Sequence, residues 1–162
     1  MLLAGSTCVA DPAAIVLRMK QVEYTLHDWL AEHPPDDEQF NQSLAGIARR
    51  VIAGEPFRFA VRELLDEFGL LANDRQRSRS IRDEPQPTAE PRYDAYLGAL
   101  AEHLAAKHSL ARPEWSLAEG RFLARFWFVS EVPGFRAMTI VESPSAFRRR
   151  GIFISRGALH RC

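Results

Sequence analysis

The chain closes on SPSAFRRRGIFISRGALHRC, residues 143–162. Whether this is a basic tail or a packed element decides how the C-terminal half is built. Its punctuation favours the packed element. Ser143 has the side chain of an N-cap, Pro144 fits a first helical position, and Gly151 supplies the left-handed residue on which helices often end. The spacing predicts a helix of about two turns over 143–150. Ile152, Phe153 and Ile154 then form an apolar extended run, and Ser155 is placed to cap a last turn carrying Ala158 and Leu159. Arg148, Arg149 and Arg150 are consecutive, so at ~100° per residue they splay across roughly 200° of a helix. They cannot all face one ligand. At least one must turn toward the body, to pair with an acid or to lay its stem on apolar surface.

Working outward, RAMTIV (136–141) suits either a short strand or a helix, and VPGF before it is a turn. Phe122, Leu123, Phe126, Trp127 and Phe128 make the most aromatic segment of the chain. Such a run is core first, a partner-binding face second, and third a stacking platform if Arg121 and Arg125 line a groove beside it. Ser116 and Glu119 have the spacing of a capping box, although Gly120 weakens a long helix there. Tyr93, Leu97, Leu100 and Leu104 space a helix whose face Tyr96 and Ala101 widen.

Three shorter amphipathic helices are predicted further N-terminal. Val22, Leu26, Trp29, Leu30 and His33 share one face before Pro34 and Pro35 stop the helix. Phe40, Leu44, Ile47 and Val51 form a second stripe after the acidic turn of Asp36, Asp37 and Glu38, and Gly54 ends it. Pro56 opens a third helix, with Phe57, Val61, Leu64, Leu65 and Phe68 inward and Gly69 near its end. Between these and the later helices, NDRQRSRSIRDEPQPTAEP (73–91) is nearly devoid of apolar residues and reads as an exposed linker. The expected organisation is mainly α: a leader over 1–20, a three-helix unit over 21–72, a linker over 73–91, and a helical region with a short strand over 92–162.

Composition narrows the function classes. The net charge is zero, so no global field draws in polyanions. The last 17 residues nevertheless carry five arginines and no acid, leaving an acidic body. Basic residues are 19 arginines to two lysines amid many alanines, which reads as GC-rich bacterial coding and lowers the weight of any arginine cluster. Cys8 and Cys162 lie at opposite ends without a CxxC or His-rich context, arguing against zinc and against a disulfide scaffold. The N-terminus has no basic start and its apolar runs are broken at Asp11 and Pro12. AGSTC only faintly suggests a lipoprotein site, and Met19 is an equally good start. A cytoplasmic location and no membrane association are expected.

No signature of catalysis emerges. Phosphate loop, nucleophile elbow and zinc helix motifs are all missing. His103 and His108, five apart, would sit about 140° from one another on a helix, and they read as partly exposed helix histidines. Asp36, Asp37 and Glu38 suit a helix start, and Glu63, Asp66 and Glu67 a solvated face. No cofactor or metal is expected.

ESPSAFRRRGIFI, with PRYDAYLGALAEHLAAKHSLARPEW and GFRAMTIVESPSAFRRRGIFIS, resembles the C-terminal portion of small actinobacterial proteins. These tend to be encoded beside nucleotidyltransferase-like genes of the abortive-infection, toxin–antitoxin type. The resemblance covers about residues 91–155 and carries no catalytic residues. It implies an antitoxin-like or accessory partner of a nucleotidyltransferase-like toxin. The expectation is therefore a non-enzymatic interaction module, binding through Phe122, Phe126, Trp127, Arg148, Arg149, Arg150 and Arg156. The alternatives are a nucleic-acid-binding regulator whose Arg148, Arg149, Arg150, Arg156 and Arg161 meet phosphates, and a small enzyme or toxin of unrecognised type.

Overall fold

The computed structural model describes residues 42–159. The expected leader, the helix over 21–33, the acidic turn at 36–38 and Arg161 lie outside them. The chain divides at residues 39 and 40, and every described residue belongs to the second unit. Among the described residues the fold is mainly helical, with one two-stranded sheet. No described helix is long and apolar enough to cross a membrane.

Helix α1 (Leu44–Ile52) starts where the Ser43 hydroxyl accepts the Gly46 amide, and it buries Leu44, Ile47 and Ala48. Helix α2 (Phe57–Leu70) follows Pro56 and buries Phe57, Ala60, Val61, Leu64 and Phe68. Gly69 lies inside α2, which ends on Leu71 instead. The two helices are clamped by Arg50. Its guanidinium donates to both carboxylate oxygens of Glu55, to Glu63 and to Gln42. Those carboxylates, chiefly Glu55, hold the Arg50 pKa above its ordinary value.

The expected linker over 73–91 is corrected: it is ordered. Asn73 caps helix α3 (Asp74–Arg82), which buries Ser80 and Ile81. The rest is held from outside itself. Arg121 donates to the Pro85 carbonyl at 2.6 Å, and the Trp115 indole donates to the Arg82 carbonyl at 2.9 Å. Asp94 accepts the amide and the hydroxyl of Thr88. A polar segment needs no apolar pattern when distant donors satisfy its carbonyls.

Helix α4 (Pro91–Lys107) is the element on which most of the described segments pack. Leu97, Leu100 and Leu104 are buried as expected, with Tyr96 and a series of small residues between them. The small residues let other segments approach closely. A Cβ on Gly98 would sit 2.9 Å from the Arg121 Cβ, so the turn at Glu119–Arg121 rests directly on the helix backbone. Instead of a capping box, 114–121 forms two short 3₁₀ turns, and the Ser116 hydroxyl donates to the Pro113 carbonyl.

The aromatic segment is extended. Strand β1 (Trp127–Phe128) pairs in parallel with β2 (Ile152–Phe153), with Trp127 opposite Ile152 and Phe128 opposite Phe153. Between them, RAMTIV resolves as helix: α5 spans Arg136–Glu142, and α6 is a single turn, Ser145–Arg148. Ser143 is not the N-cap of α6; that place falls to Pro144, which has no side-chain cap to offer. The Ser143 hydroxyl instead donates to the Thr139 carbonyl at 2.6 Å and accepts the Ile154 amide at 2.7 Å. A buried amide at the end of β2 outcompetes the local cap. Gly151 takes the left-handed conformation as expected, at φ +72°, and a 3₁₀ turn over Arg156–Leu159 buries Leu159.

Two stability predictions follow from these contacts. A Cβ at Gly151 would meet the Phe126 ring at 3.2 Å as well as the left-handed strain, whereas one at Gly157 meets nothing. Gly151→Ala should cost more than about 1 kcal/mol in urea unfolding, and Gly157→Ala less than about 0.5 kcal/mol. His108 packs edge-on to Phe68 at 5.2 Å. Burial, then the charges of Arg77 and Lys107, hold its pKa below the ordinary 6.5, against a smaller opposing effect of Asp74. The folded state therefore disfavours His108 protonation. Its contribution is present above the unfolded value and is lost as pH falls through the lowered folded value. Urea midpoints compared at about pH 7.5 and about pH 5 should fall less in His108→Gln than in the parent.

Candidate interaction surface

The three adjacent arginines part company. Arg150 turns inward and is only 1% exposed. Its Nη1 donates to Glu102 of α4 at 2.6 Å and to the Ala146 carbonyl at 2.7 Å, while Nη2 donates to the Ser116 carbonyl at 2.6 Å. One guanidinium thus joins α4, α6 and the 3₁₀ turn at 114–117. Burial pulls the Arg150 pKa down from its ordinary value, and the Glu102 hydrogen bond opposes that. Arginine is suited to this place because its fork satisfies several acceptors at once. Arg149 shares Glu102 from the exposed side. Arg148 is exposed, with no carboxylate partner among the described residues.

Arg150 is accordingly withdrawn from both surface readings, since a buried guanidinium with three protein acceptors reaches neither partner nor phosphate. Arg149 is partly committed. The cationic face reduces to Arg148 and Arg156, which line one small hollow with His103, Glu142 and Ser145. The Glu142 carboxylate is engaged there by the Arg156 amide. The phosphate-binding array expected of five arginines is not assembled among the described residues.

The aromatic residues divide too. Phe122 is exposed and lies over the guanidinium of Arg150 at 4.7 Å and that of Arg149 at 5.8 Å, so it roofs the buried ion pair. Phe126 is 78% exposed, meeting the protein edge-on at Phe153. Trp127 is half-buried, tilted against Tyr96. Arg121, read as a groove-lining cation, is instead buried between Pro85 and the Trp115 ring. The aromatic run is therefore core on one side and surface on the other.

Helix α5 is the feature that periodicity did not reveal. Its buried side chain is Thr139, whereas Met138, Ile140 and Val141 are exposed. Val141, two positions on and so ~200° round the helix, is 78% exposed. Val132 and Phe135 extend this apolar outer face on the N-terminal side. It is continuous with the aromatic segment. Phe126 packs on Phe153, Phe153 stacks on Phe128 at 4.9 Å, and Phe128 carries the Arg136 guanidinium at 5.3 Å. The composition of RAMTIV signalled apolarity, but nothing in its spacing signalled which side faces out.

Among the described residues, no group of three His, Cys, Asp or Glu side chains is placed to hold a metal ion. His103 and His108 go to separate surroundings, the first near Phe147 and the second on Phe68. Comparison with protein-family models, with curated proteins and with solved structures finds no match.

The division of the arginines is directly measurable. Arg150→Met should lower stability by about 3 kcal/mol or more, because it strands acceptors that burial hides from water. Arg148→Met should change it by less than about 0.5 kcal/mol. Urea unfolding of the two variants at neutral pH checks the contrast.

Proposed function

We propose that this chain is a non-enzymatic interaction module that binds a protein partner through the outer face of α5 and the adjoining aromatic segment. The observation that carries the reading is the inverted α5, with threonine buried and methionine, isoleucine and valine turned to water. Leaving such a face exposed forgoes about 25 cal/mol per Å² of burial, and rimmed apolar faces of this kind mark interaction sites. Arg148 and Arg156 lie beside Val141 and would flank the apolar centre with positive charge. A partner with an apolar anchor and acidic neighbours is the complement.

The resemblance of residues 91–155 supports a more particular form of this reading. The partner is then a nucleotidyltransferase-like toxin, and the module acts as an antitoxin or accessory protein that docks on it and occludes its substrate site. The nucleic-acid reading is weaker, because Arg150 is internal and Arg149 is held by Glu102.

Co-expression with the product of the adjacent gene, followed by size-exclusion chromatography, tests the proposal. Co-elution and loss of partner activity are expected. Val141→Asp and Met138→Asp should each weaken the complex by at least about tenfold, as a charge at the centre of an interface does, while circular dichroism stays unchanged. Separate elution with undiminished partner activity would overturn the reading.

A further inference from the structure

A groove of about 770 Å³ opens between α2, α4, β1 and the C-terminal turn. Its volume falls in the ~300–1,000 Å³ range of small-ligand sites. Its wall is aromatic. Phe57 stacks on Tyr93 at 4.2 Å, Tyr96 meets Phe57 edge-on at 5.2 Å, and Trp127 lies 6.2 Å from Tyr96. Val129 and Ile154 complete an apolar surface on which a flat ring can lie.

Three polar features interrupt that surface. Tyr96 is only 5% exposed and lines the groove, yet no described residue forms a hydrogen bond with its hydroxyl. The hydroxyl is not among the buried unpartnered polar atoms, and Tyr96 lines the groove. Burial pushes the phenol pKa upward, so the group remains a neutral donor. Arg58 and Arg62, one helical turn apart on α2, also line the groove. Neither has a carboxylate partner among the described residues. Arg58 lies over the exposed Phe59 ring at 4.8 Å, which leaves its charge uncancelled. Glu131, on the segment after β1, supplies an acceptor from a different element.

We propose that this groove binds a small planar aromatic anion, with its ring against Tyr93 and Trp127 and its anionic group at Arg58 and Arg62. The Tyr96 hydroxyl donates to an acceptor of the ligand, and Glu131 accepts from a donor on its ring system. A nucleoside monophosphate and indole-3-acetate share this chemistry: a flat ring body, a ring-borne donor and an anion. The inference shares Trp127 with the aromatic segment of the partner reading and uses none of the α5 residues.

The test is isothermal titration calorimetry of the full chain with AMP, GMP and indole-3-acetate in separate arms. Saturable binding below about 1 mM is expected in one class, and the responding arm identifies the anion as phosphate or carboxylate. Arg58→Glu and Arg62→Glu, both on exposed positions that leave the core intact, should each weaken it by about tenfold. Tyr96→Phe should weaken it several-fold, to the extent of one hydrogen bond. Absence of saturable binding in all three arms would overturn the proposal. So would binding that both charge reversals leave intact, which would show generic apolar adsorption.

Discussion

The fold depends on one buried guanidinium. Arg150 reaches from the end of α6 to Glu102 on the central helix and to the carbonyls of Ala146 and Ser116. The two carbonyls belong to segments with little means of holding themselves. The helix α6 is a single turn, and the 3₁₀ turn at 114–117 buries Ser116 but no large apolar residue. Desolvating a charge costs several kcal/mol, and only dense pairing offsets it. Here the pairing is dense: a shared carboxylate, two carbonyls and the Phe122 ring above. Such a contact contributes less net stability than apolar packing of equal volume would. What it adds is geometry, because the acceptors must converge on one fork.

The same device recurs at Arg121, which fixes Pro85 beneath the Trp115 ring and presses the 3₁₀ turn onto Gly98. Two inward arginines thus organise the irregular half of the molecule around α4. Their consequence for function is indirect and strong. Arginines committed to the interior are not offered to a ligand, so the basic character of the C-terminal stretch overstates its basic surface. The large apolar side chains left exposed lie outside that stretch, on α5 and at Phe126, with Arg148 and Arg156 at their edge.

Features with local causes were legible in the sequence. Pro56 and Gly151 mark boundaries through their own backbone restrictions, and the Leu97, Leu100 and Leu104 stripe reports a buried helix face directly. The splay of three consecutive arginines required at least one to face inward, and Arg150 does. Features with distant causes were not legible. The segment 73–91 lacks apolar residues because its order comes from Arg121 and Trp115, more than 30 positions away. Ser143 looked like a cap until the Ile154 amide, across a turn and a strand, claimed its hydroxyl. The α5 face was not legible either, because RAMTIV is apolar in composition without a spacing that tells its inner from its outer side. The groove at Tyr96 draws on α2, α4 and β1 together, so no single stretch of sequence displays it.

A double-mutant cycle on Arg150 and Glu102 addresses the organising contact most directly. Arg150→Met, Glu102→Gln and the double variant would be unfolded in urea, with Arg149→Met and Glu102→Gln as a second cycle on the same carboxylate. A buried, hydrogen-bonded pair should show a coupling of about 1.5–3 kcal/mol, against about 0.2–1 kcal/mol for the exposed Arg149 pair. Equal couplings in the two cycles, or an Arg150 coupling indistinguishable from zero, would contradict the assignment of Arg150 as the residue on which the fold is assembled.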